Sequence, residues 1–582
     1  MTLRDAGVAV VVMVGLAAAL LGPGLGAAPL DDPGEGQHAE IAREMVGGSW
    51  LALRLNGVRY FDKPPLLYWM TAASFRSLGR TEGAARLAPL LGALLAVAAT
   101  TLLGVRLLGP GGGLLAGTAL LSCALFAAFA RYVRPETLFV AGIQWGFTGL
   151  LLAATRGAGP EGRRWAVLGC AALGIAALAK DPLGMLGPLA AIAGALALAG
   201  RLRPVRAWPG PVGLGLLLVI GLGWYAVAAA TEPGFLWYTV VDNHLLNVAR
   251  MRVFPDQDVP LSALEFVAAA GAGAFPWCLA AAAAVVALAR RRAWRDPAEL
   301  PWVALALWAV GVLGLFTISP FKLPHYGLPA YPALALLAAR AWRDARVRPR
   351  GLIAVHLGLF LVLGGGLGWA ASGDGRAFTA AVFGVSDVYS RKEAAWGQAS
   401  PYPAWSSLQP LIQRASILLL LGSAGLAAAV MRRSARAAAA VVAVVMLLLV
   451  PAVTTGLAAT SSARAVAVMA GEIRARLSPD DVLVLEGPIE NSGAVEFYSG
   501  HRPALLDGTR SVLGVGATFA DAAPTFWSAS RFRRAWASAR PPYLLTSRAP
   551  AHSIVSALPA DQVKLLVAHN GRWLYGRAAV AE

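Results

Sequence analysis

Residues 85–137 read ARLAPLLGALLAVAATTLLGVRLLGPGGGLLAGTALLSCALFAAFARYVRPET. Two apolar runs, near 84–105 and 112–130, each come close to the 20 or so residues a helix needs to cross a hydrocarbon core. No water reaches that depth to satisfy peptide groups, so such runs must be helical. Arg106 stands at the end of the first run, and the charged knot RYVRPET, with Arg131, Arg134 and Glu136, closes the second. The stretch is a helical hairpin that crosses a membrane twice, with charge at both faces.

Eleven further stretches of the same kind flank it, near 8–28, 137–155, 165–179, 184–199, 210–230, 262–289, 301–318, 326–339, 351–372, 411–430 and 437–460. Several are short or broken by Gly and Pro. The first resembles the core of a signal peptide, but so many spans behind it make a retained anchor the better reading. Of the 582 residues 57% are hydrophobic and 14% charged, with a mean hydropathy of +0.60, whereas soluble chains carry about 25% charge. The expected fold class is a polytopic α-helical membrane protein with about 13 transmembrane helices. Cys123, Cys170 and Cys278 all lie in apolar runs, which excludes a disulfide framework and a paired-cysteine metal site.

The net charge is +18, from 50 Lys+Arg against 32 Asp+Glu. Such basicity alone would admit nucleic acid, an anionic substrate or a membrane surface. Threading the chain with residue 1 in the cytoplasm gathers Arg4, Arg106, Arg156, Arg163, Arg164, Arg201, Arg203, Arg206, the clusters within 290–295 and 340–350, Arg432, Arg433 and Arg436 on one side. These are 20 arginines against five acids, the positive-inside pattern, and they account for +15 of the +18. No nucleic-acid partner is expected.

The long segments 29–83, 231–261, 373–410 and 461–582 then fall on the periplasmic side of a bacterial inner membrane. Residues 1–460 form the membrane domain. In 461–582, the runs VLVLEG (482–487), YLLTS (543–547) and VKLLVAH (563–569) alternate with helix-like stretches, as in a small periplasmic α/β domain. No catalytic motif stands out there, and the tail reads as a lid or docking module.

Lysine is scarce and therefore informative. Lys63, Lys180, Lys322, Lys392 and Lys564 stand against 45 arginines, and the first three lie where helices meet the outer face, in YFDKPPLLYW, LAKDPLG and SPFKLPHY. A single lysine there can simply snorkel to the headgroups. Three on one face suit a lipid phosphate, which an ammonium binds as a compact point charge.

Acids accompany them: Asp31, Asp32, Glu35, Glu40 and Glu44 in the first loop, Asp62 before Lys63, Glu136 near Arg134, and Asp181 after Lys180. The pattern from Glu35 to Met45 predicts a short amphipathic helix lying on the membrane. Carboxylates at such places are costly unless paired or functional. One aimed at an acceptor can act as base while cations stabilise a phosphate leaving group; a salt-bridged loop is the plain alternative.

In EPGFLWYTVVDNHLLNVARMRVFPDQD, helical spacing would set Asn243, Asn247 and Arg250 on one face, with His244 beside Asn247, a surface for sugar hydroxyls and phosphate. Seven histidines without an HxH or HExxH pattern provide no metal motif. Weak coordination of a divalent ion by Glu35, Asp32 and Glu136 stays open.

Taken in order, DDPGEGQHAEIAREM, NGVRYFDKPPLLYW, RPET, the Lys180 segment, PGFLWYTVVDNHLL and FKLPHYGLPAYPALALL resemble glycosyltransferase family 39 of the GT-C superfamily. That family holds bacterial aminoarabinose transferases and protein O-mannosyltransferases, and the former branch is the better likeness. Residues 1–460 carry the resemblance and the tail follows more loosely. It implies a GT-C fold, a polyprenyl (undecaprenyl) phosphate sugar donor, and inversion without a nucleotide. The acceptor would face the periplasm: lipid A, another envelope glycan or a protein.

The family's first-loop Asp-Glu pair is Gly34 and Glu35 here, so the resemblance assigns the base to Glu35, helped by Asp32, with Glu136 where the family often has Asp. It places Lys63, Arg134, Arg250 or Arg252, and Lys322 on the donor phosphate. Tyr60, Asp62, Asn243, His244, His325 and Tyr326 fall around the sugar or acceptor. Two other classes stand against it. A lipid flippase or transporter would carry its charges at the midplane of repeat-related helices, and no repeat is visible. A membrane scaffold would depend on its tail and not on the first-loop acids.

Overall fold

A computed structural model describes residues 3–156, 159–201, 209–255, 261–344, 349–386, 397, 401–509 and 511–578. Arg203, Arg206, Arg346, Arg348 and Lys392 lie outside the described residues. The hairpin at 85–137 forms as its punctuation dictates. Thr81 caps the first helix by accepting the Ala84 N–H at 3.1 Å, Gly109 ends it at φ 78°, and Pro110 opens the next.

Every apolar stretch falls on a helix or a helix pair. In chain order come α1 (Leu3–Leu21), two first-loop helices α2 (Gly36–Gly47) and α3 (Leu66–Leu78), then α4 (Glu82–Leu108), α5 (Pro110–Leu121), α6 (Ala124–Phe129), α7 (Glu136–Arg156), α8 (Pro160–Ala179), α9 (Leu186–Leu198) and α10 (Gly210–Thr231). There follow α11 (Ala263–Gly273), α12 (Trp277–Arg290), α13 (Leu300–Ile318), α14 (Tyr331–Arg343), α15 (Pro349–Ser372), a loop helix α16 (Arg376–Ser386), α17 (Trp405–Met431) and α18 (Ala435–Arg464). Among the described residues, eight helices are long and apolar enough to cross a membrane, or nine if α11 and α12, bent by 106°, count as one span. The shorter α1, α5 and α9 are also apolar, and α14 is buried almost throughout. The chain is a polytopic helical membrane protein.

Beyond α18, a helix α19 (Ala467–Arg476) leads into a six-stranded sheet. A hairpin of β1 (Arg54–Leu55) and β2 (Val58–Arg59) belongs to the first loop. The sheet comprises β3 (Leu483–Glu486), β4 (Ala504–Leu506), β5 (Phe526–Trp527), β6 (Tyr543–Thr546), β7 (Val563–His569) and β8 (Arg572–Arg577), in the order β5-β4-β3-β6-β8-β7. The four strands β5, β4, β3 and β6 are parallel, and β8 runs antiparallel to β6 and β7.

Successive strand residues point to opposite faces, and here both faces are covered. Val484 and Leu544 pack with Phe532 and Trp536 of α21 (Ala529–Trp536), while Leu483, Leu485 and Leu545 join the main core of the membrane part. A short helix α20 (Val495–Ser499) follows β3. The three strand-like runs of the sequence form β3, β6 and β7; β4, β5 and β8 lie outside them.

One expectation about the first loop is corrected. Helix α2 does not lie open on a membrane surface: Gln37, His38, Ala39, Glu40, Ile41 and Ala42 are all buried. Its polar side is covered by the α/β unit, where Arg43 pairs with Glu40 and with Glu496, both at 2.5 Å. Arg502 reaches Glu496 at 3.0 Å and Glu44 at 3.6 Å. An amphipathic pattern reports two environments, and the polar one here is protein.

Candidate functional site

Pro64 and Pro65 bar a helix at Lys63 and let α3 begin at Leu66. The open segment before them carries Asp62 and Lys63, which form a direct ion pair. Glu136 opens α7 and Lys180 caps the end of α8. An anion at a helix N-terminus and a cation at a C-terminus each suit the helix dipole. The two meet, with Lys180 Nζ 3.2 Å from Glu136 Oε1.

The 3-10 helix Pro324–Ala330 brings His325 Nε2 to 3.3 Å from the same oxygen, and Arg134 Nη1 lies 3.5 Å from His325 Nε2. Lys180 Nζ sits 5.0 Å above the Tyr326 ring and 5.7 Å from that of Phe139. Glu136 Oε2 is buried with no hydrogen-bond partner among the described residues.

A layer of polar groups encloses these. His38 Nδ1 lies 2.9 Å from Tyr68 Oη, and the Tyr68 hydroxyl donates to Tyr60 Oη at 3.3 Å. Burial, reinforced by the Arg134 cation, pushes His38 down to about 3, so it is neutral at physiological pH. Burial would raise Asp62, but the Lys63 ammonium, with Arg252 beyond it, brings its carboxyl below the usual range. Arg252 Nε is 3.4 Å from Asp242 Oδ2, and the Val253 N–H donates to Asp242 Oδ1 at 2.6 Å. Lys63 and Arg134 are both close enough to act on the charge of Lys180. Four cations, Lys63, Arg134, Lys180 and Arg252, thus face three carboxylates, Asp62, Glu136 and Asp242, an excess of one positive charge that an entering phosphate would offset.

Several sequence-derived residues are not brought to this cluster. Glu35 is fully buried and bound bidentately by Arg86, at 2.8 and 2.5 Å, and it also accepts the N–H groups of Val133 at 2.9 Å and Asp31 at 3.0 Å. Asp32 points at the α/β unit, where its oxygens accept the Val466 and Ala494 N–H groups at 3.1 and 3.2 Å. Burial pushes Asp32 up to about 7, against the Arg572 cation. Both acids expected to be the base hold the first loop in place, and none of these partners is shared with Lys63, Lys180 or Glu136.

Of the two loop arginines Arg252 faces the cluster; Arg250 is exposed, at φ 58°. The expected face of Asn243, Asn247 and Arg250 does not form, because Trp237–Leu246 is a π-helix. Its wider turn carries His244 to Asp181, with Nε2 2.9 Å from Oδ2, and to the Thr239 carbonyl five residues back. Asn243 is half-buried on the same helix. Lys322 is buried beside the apolar group of Leu261, Phe266 and Leu323 and makes no ion pair among the described residues.

The residues suggested for a divalent ion do not converge. Glu35 is saturated by Arg86 and backbone donors, and Glu136 is ringed by Lys180, His325 and Arg134. The one trio of carboxylates gathered among the described residues, Glu40, Glu44 and Glu496, already holds Arg43 and Arg502.

Sequence reasoning missed His38, Tyr68 and Tyr132, and it gave Asp31 and Asp242 no role in the site. Only His38 carried a usable signal: with seven histidines in 582 residues, a histidine in an acid-rich loop repays the attention given to scarce lysines.

Residues 62–224 match the family described as dolichyl-phosphate-mannose-protein mannosyltransferase. The undecaprenyl phosphate-alpha-4-amino-4-deoxy-L-arabinose arabinosyl transferase 2 of Pseudomonas fluorescens is 27% identical over 353 residues, covering 58% of this chain and 62% of the relative. The corresponding transferase of Pseudomonas aeruginosa is 28% identical over 350 residues, 56% of this chain and 59% of the relative. The alignments thus span about 60% of these curated relatives. The crystal structure of ArnT from Cupriavidus metallidurans bound to undecaprenyl phosphate superposes with a TM-score of 0.78 at 24% identity, covering 97% of each chain; it shares this fold. These likenesses agree with the resemblance to glycosyltransferase family 39 read from the motifs.

Proposed function

We propose that this relative of the family 39 glycosyltransferases is an inner-membrane enzyme that moves a sugar, with inversion, from polyprenyl phosphate to an acceptor on the periplasmic side. The observation that carries the reading is the convergence of Lys63, Arg134, Lys180 and Arg252 on Asp62 and Glu136 where helices end. Cations fixed in a partly dry site stabilise the charge that develops on a departing phosphate. Glu136 and Asp62 hold two of the lysines in place, and Tyr60, Tyr326 and His325 border the sugar. The proton of the acceptor goes to a first-loop carboxylate. Undecaprenyl phosphate as donor carrier, aminoarabinose as sugar and lipid A as acceptor are the first choices, supported by the names of the matched relatives.

About thirteen spans, a cytoplasmic N-terminus and a periplasmic α/β domain belong to the same proposal, supported by the arginine asymmetry. A deletion strain should lose one sugar mass from lipid A, another envelope glycan or a periplasmic glycoprotein. Purified protein in nanodiscs should restore it from undecaprenyl-phosphate-linked sugar. Movement of labelled lipid across vesicles without covalent transfer would instead establish the flippase reading.

A further inference from the structure

Position 34 is a glycine for a steric reason. A Cβ there would stand 1.7 Å from Tyr132 Oη and 2.5 Å from Cζ, so the tyrosine fills the space in which a side chain of the first loop would otherwise lie. The Tyr132 hydroxyl donates directly to Asp31 Oδ2. Asp31 is itself pinned: its N–H donates to Glu35 at 3.0 Å, its carbonyl accepts the Glu35 and Gly36 N–H groups at 2.8 and 3.0 Å, and Arg464 Nε lies 3.3 Å from Oδ1. Glu35 is held in turn by Arg86.

Tyr132 borders the cation cluster. Its ring lies 5.7 Å from that of Phe129, which is 5.2 Å from that of His325, and its carbonyl accepts the Arg134 N–H at 2.7 Å. Asp31 is only 3% exposed, whereas Tyr132 keeps accessible surface. The carboxylate is thus sealed, and the half-buried tyrosine is its link to the cluster.

Resting on the glycosyl-transfer reading above, we infer that Tyr132 takes the proton of the acceptor's O–H and passes its own to Asp31, so that a phenol–carboxylate pair serves as the base. As the acceptor oxygen forms its bond to the sugar C1, the C1–O bond to phosphate breaks and the phosphate leaves with the bonding pair. The acceptor proton moves to Tyr132 Oη, the Tyr132 proton moves to Asp31 Oδ2, and as product departs the proton returns through Tyr132 to water. The substrate class is an oxygen acceptor that bears a proton, a hydroxyl or a monoprotonated phosphate. Tyr132 touches the reacting oxygen, and Asp31 acts through it.

The test is complementation of the deletion strain. Transfer is followed as the recovered sugar mass and as the initial rate in membranes at saturating donor, and undecaprenyl phosphate binding to each purified full-length variant is titrated alongside. Tyr132→Phe keeps the ring, and Asp31→Asn keeps the shape. Each should lower the rate about 100-fold, the ordinary scale of a lost general base, while the undecaprenyl phosphate Kd stays within about twofold because neither group belongs to the cation cluster. The double variant should be no slower than the slower single one, as for residues that act as a unit. Wild-type rates in Tyr132→Phe overturn the inference, as does a loss of rate that only mirrors lost binding, or a double variant whose loss is the product of the two. If the deletion strain loses no sugar mass at all, the glycosyl-transfer reading itself falls, an outcome distinct from these three.

Discussion

At Lys180 a largely buried ammonium finds one carboxylate, Glu136, and two aromatic rings. Removing one member of a buried pair costs about 3–5 kcal/mol, because the other is left charged and unpaired. Lys180→Met should therefore lower the thermal midpoint in detergent and weaken undecaprenyl phosphate binding at least about tenfold, a factor worth about 1.4 kcal/mol. Glu35 makes a contrasting prediction. Glu35→Ala strands Arg86 and should cost about 3–5 kcal/mol of stability, read in a thermal melt, whereas a dispensable base would leave the melt unchanged.

His244 supplies the pH term. The hydrogen bond to Asp181 raises it above its ordinary 6.5, against the effect of burial. The clasp is complete below 6.5 and is lost as pH climbs through the raised folded-state value. Histidine NMR should show one of the seven rings titrating above 6.5 and moving down in Asp181→Asn. Lys63, Lys180 and Glu136 were legible from rarity and position. Asp31–Tyr132 and Glu35–Arg86 were not, because their partners lie 101 and 51 residues apart and only the fold selects them.

Elements show where pattern misleads. The apolar stripe of α2 suits a helix lying on the membrane, but its polar side is sealed by α20 and residues 489–492, so the helix is interior. Backbones approach closely at that seam: a Cβ at Gly36 would stand 2.5 Å from the Ala494 N, and one at Gly493 2.5 Å from the Gln37 N. Gly493→Ala should force the seam apart at about 1–3 kcal/mol, seen as faster protease cleavage between the membrane part and the α/β unit. Trp237–Leu246 is the second instance. Its ten residues were spaced as an ordinary helix, and the π turn shifts every pairing that spacing implied. No single residue in WYTVVDNHLL announces the wider turn, which leaves Asp242 for Arg252 and His244 for Asp181.

For the whole molecule, hydropathy located the helices because lipid leaves the backbone no alternative, and β3 and β6 were legible because apolar runs mark strands buried on both faces, whereas β7 is a largely exposed edge strand. Orientation is open to direct test. In a chain whose cysteines are replaced by alanine, Arg540→Cys should react with an impermeant maleimide in spheroplasts, and Arg433→Cys only after lysis. The reverse result would invert the topology.

The ties between the first loop and the α/β unit also set a schedule. Leu30 donates to Tyr498, Asn56 to Pro503, and Asp32 accepts from Val466 and Ala494, contacts 434 to 468 residues apart. A ribosome adding about 5–20 residues per second needs roughly 20–90 s to supply the second half of each contact. Through that interval the first loop, already synthesised, waits unfinished. Asp31 has no Arg464 beside it and α2 has no cover until the α/β unit has been made.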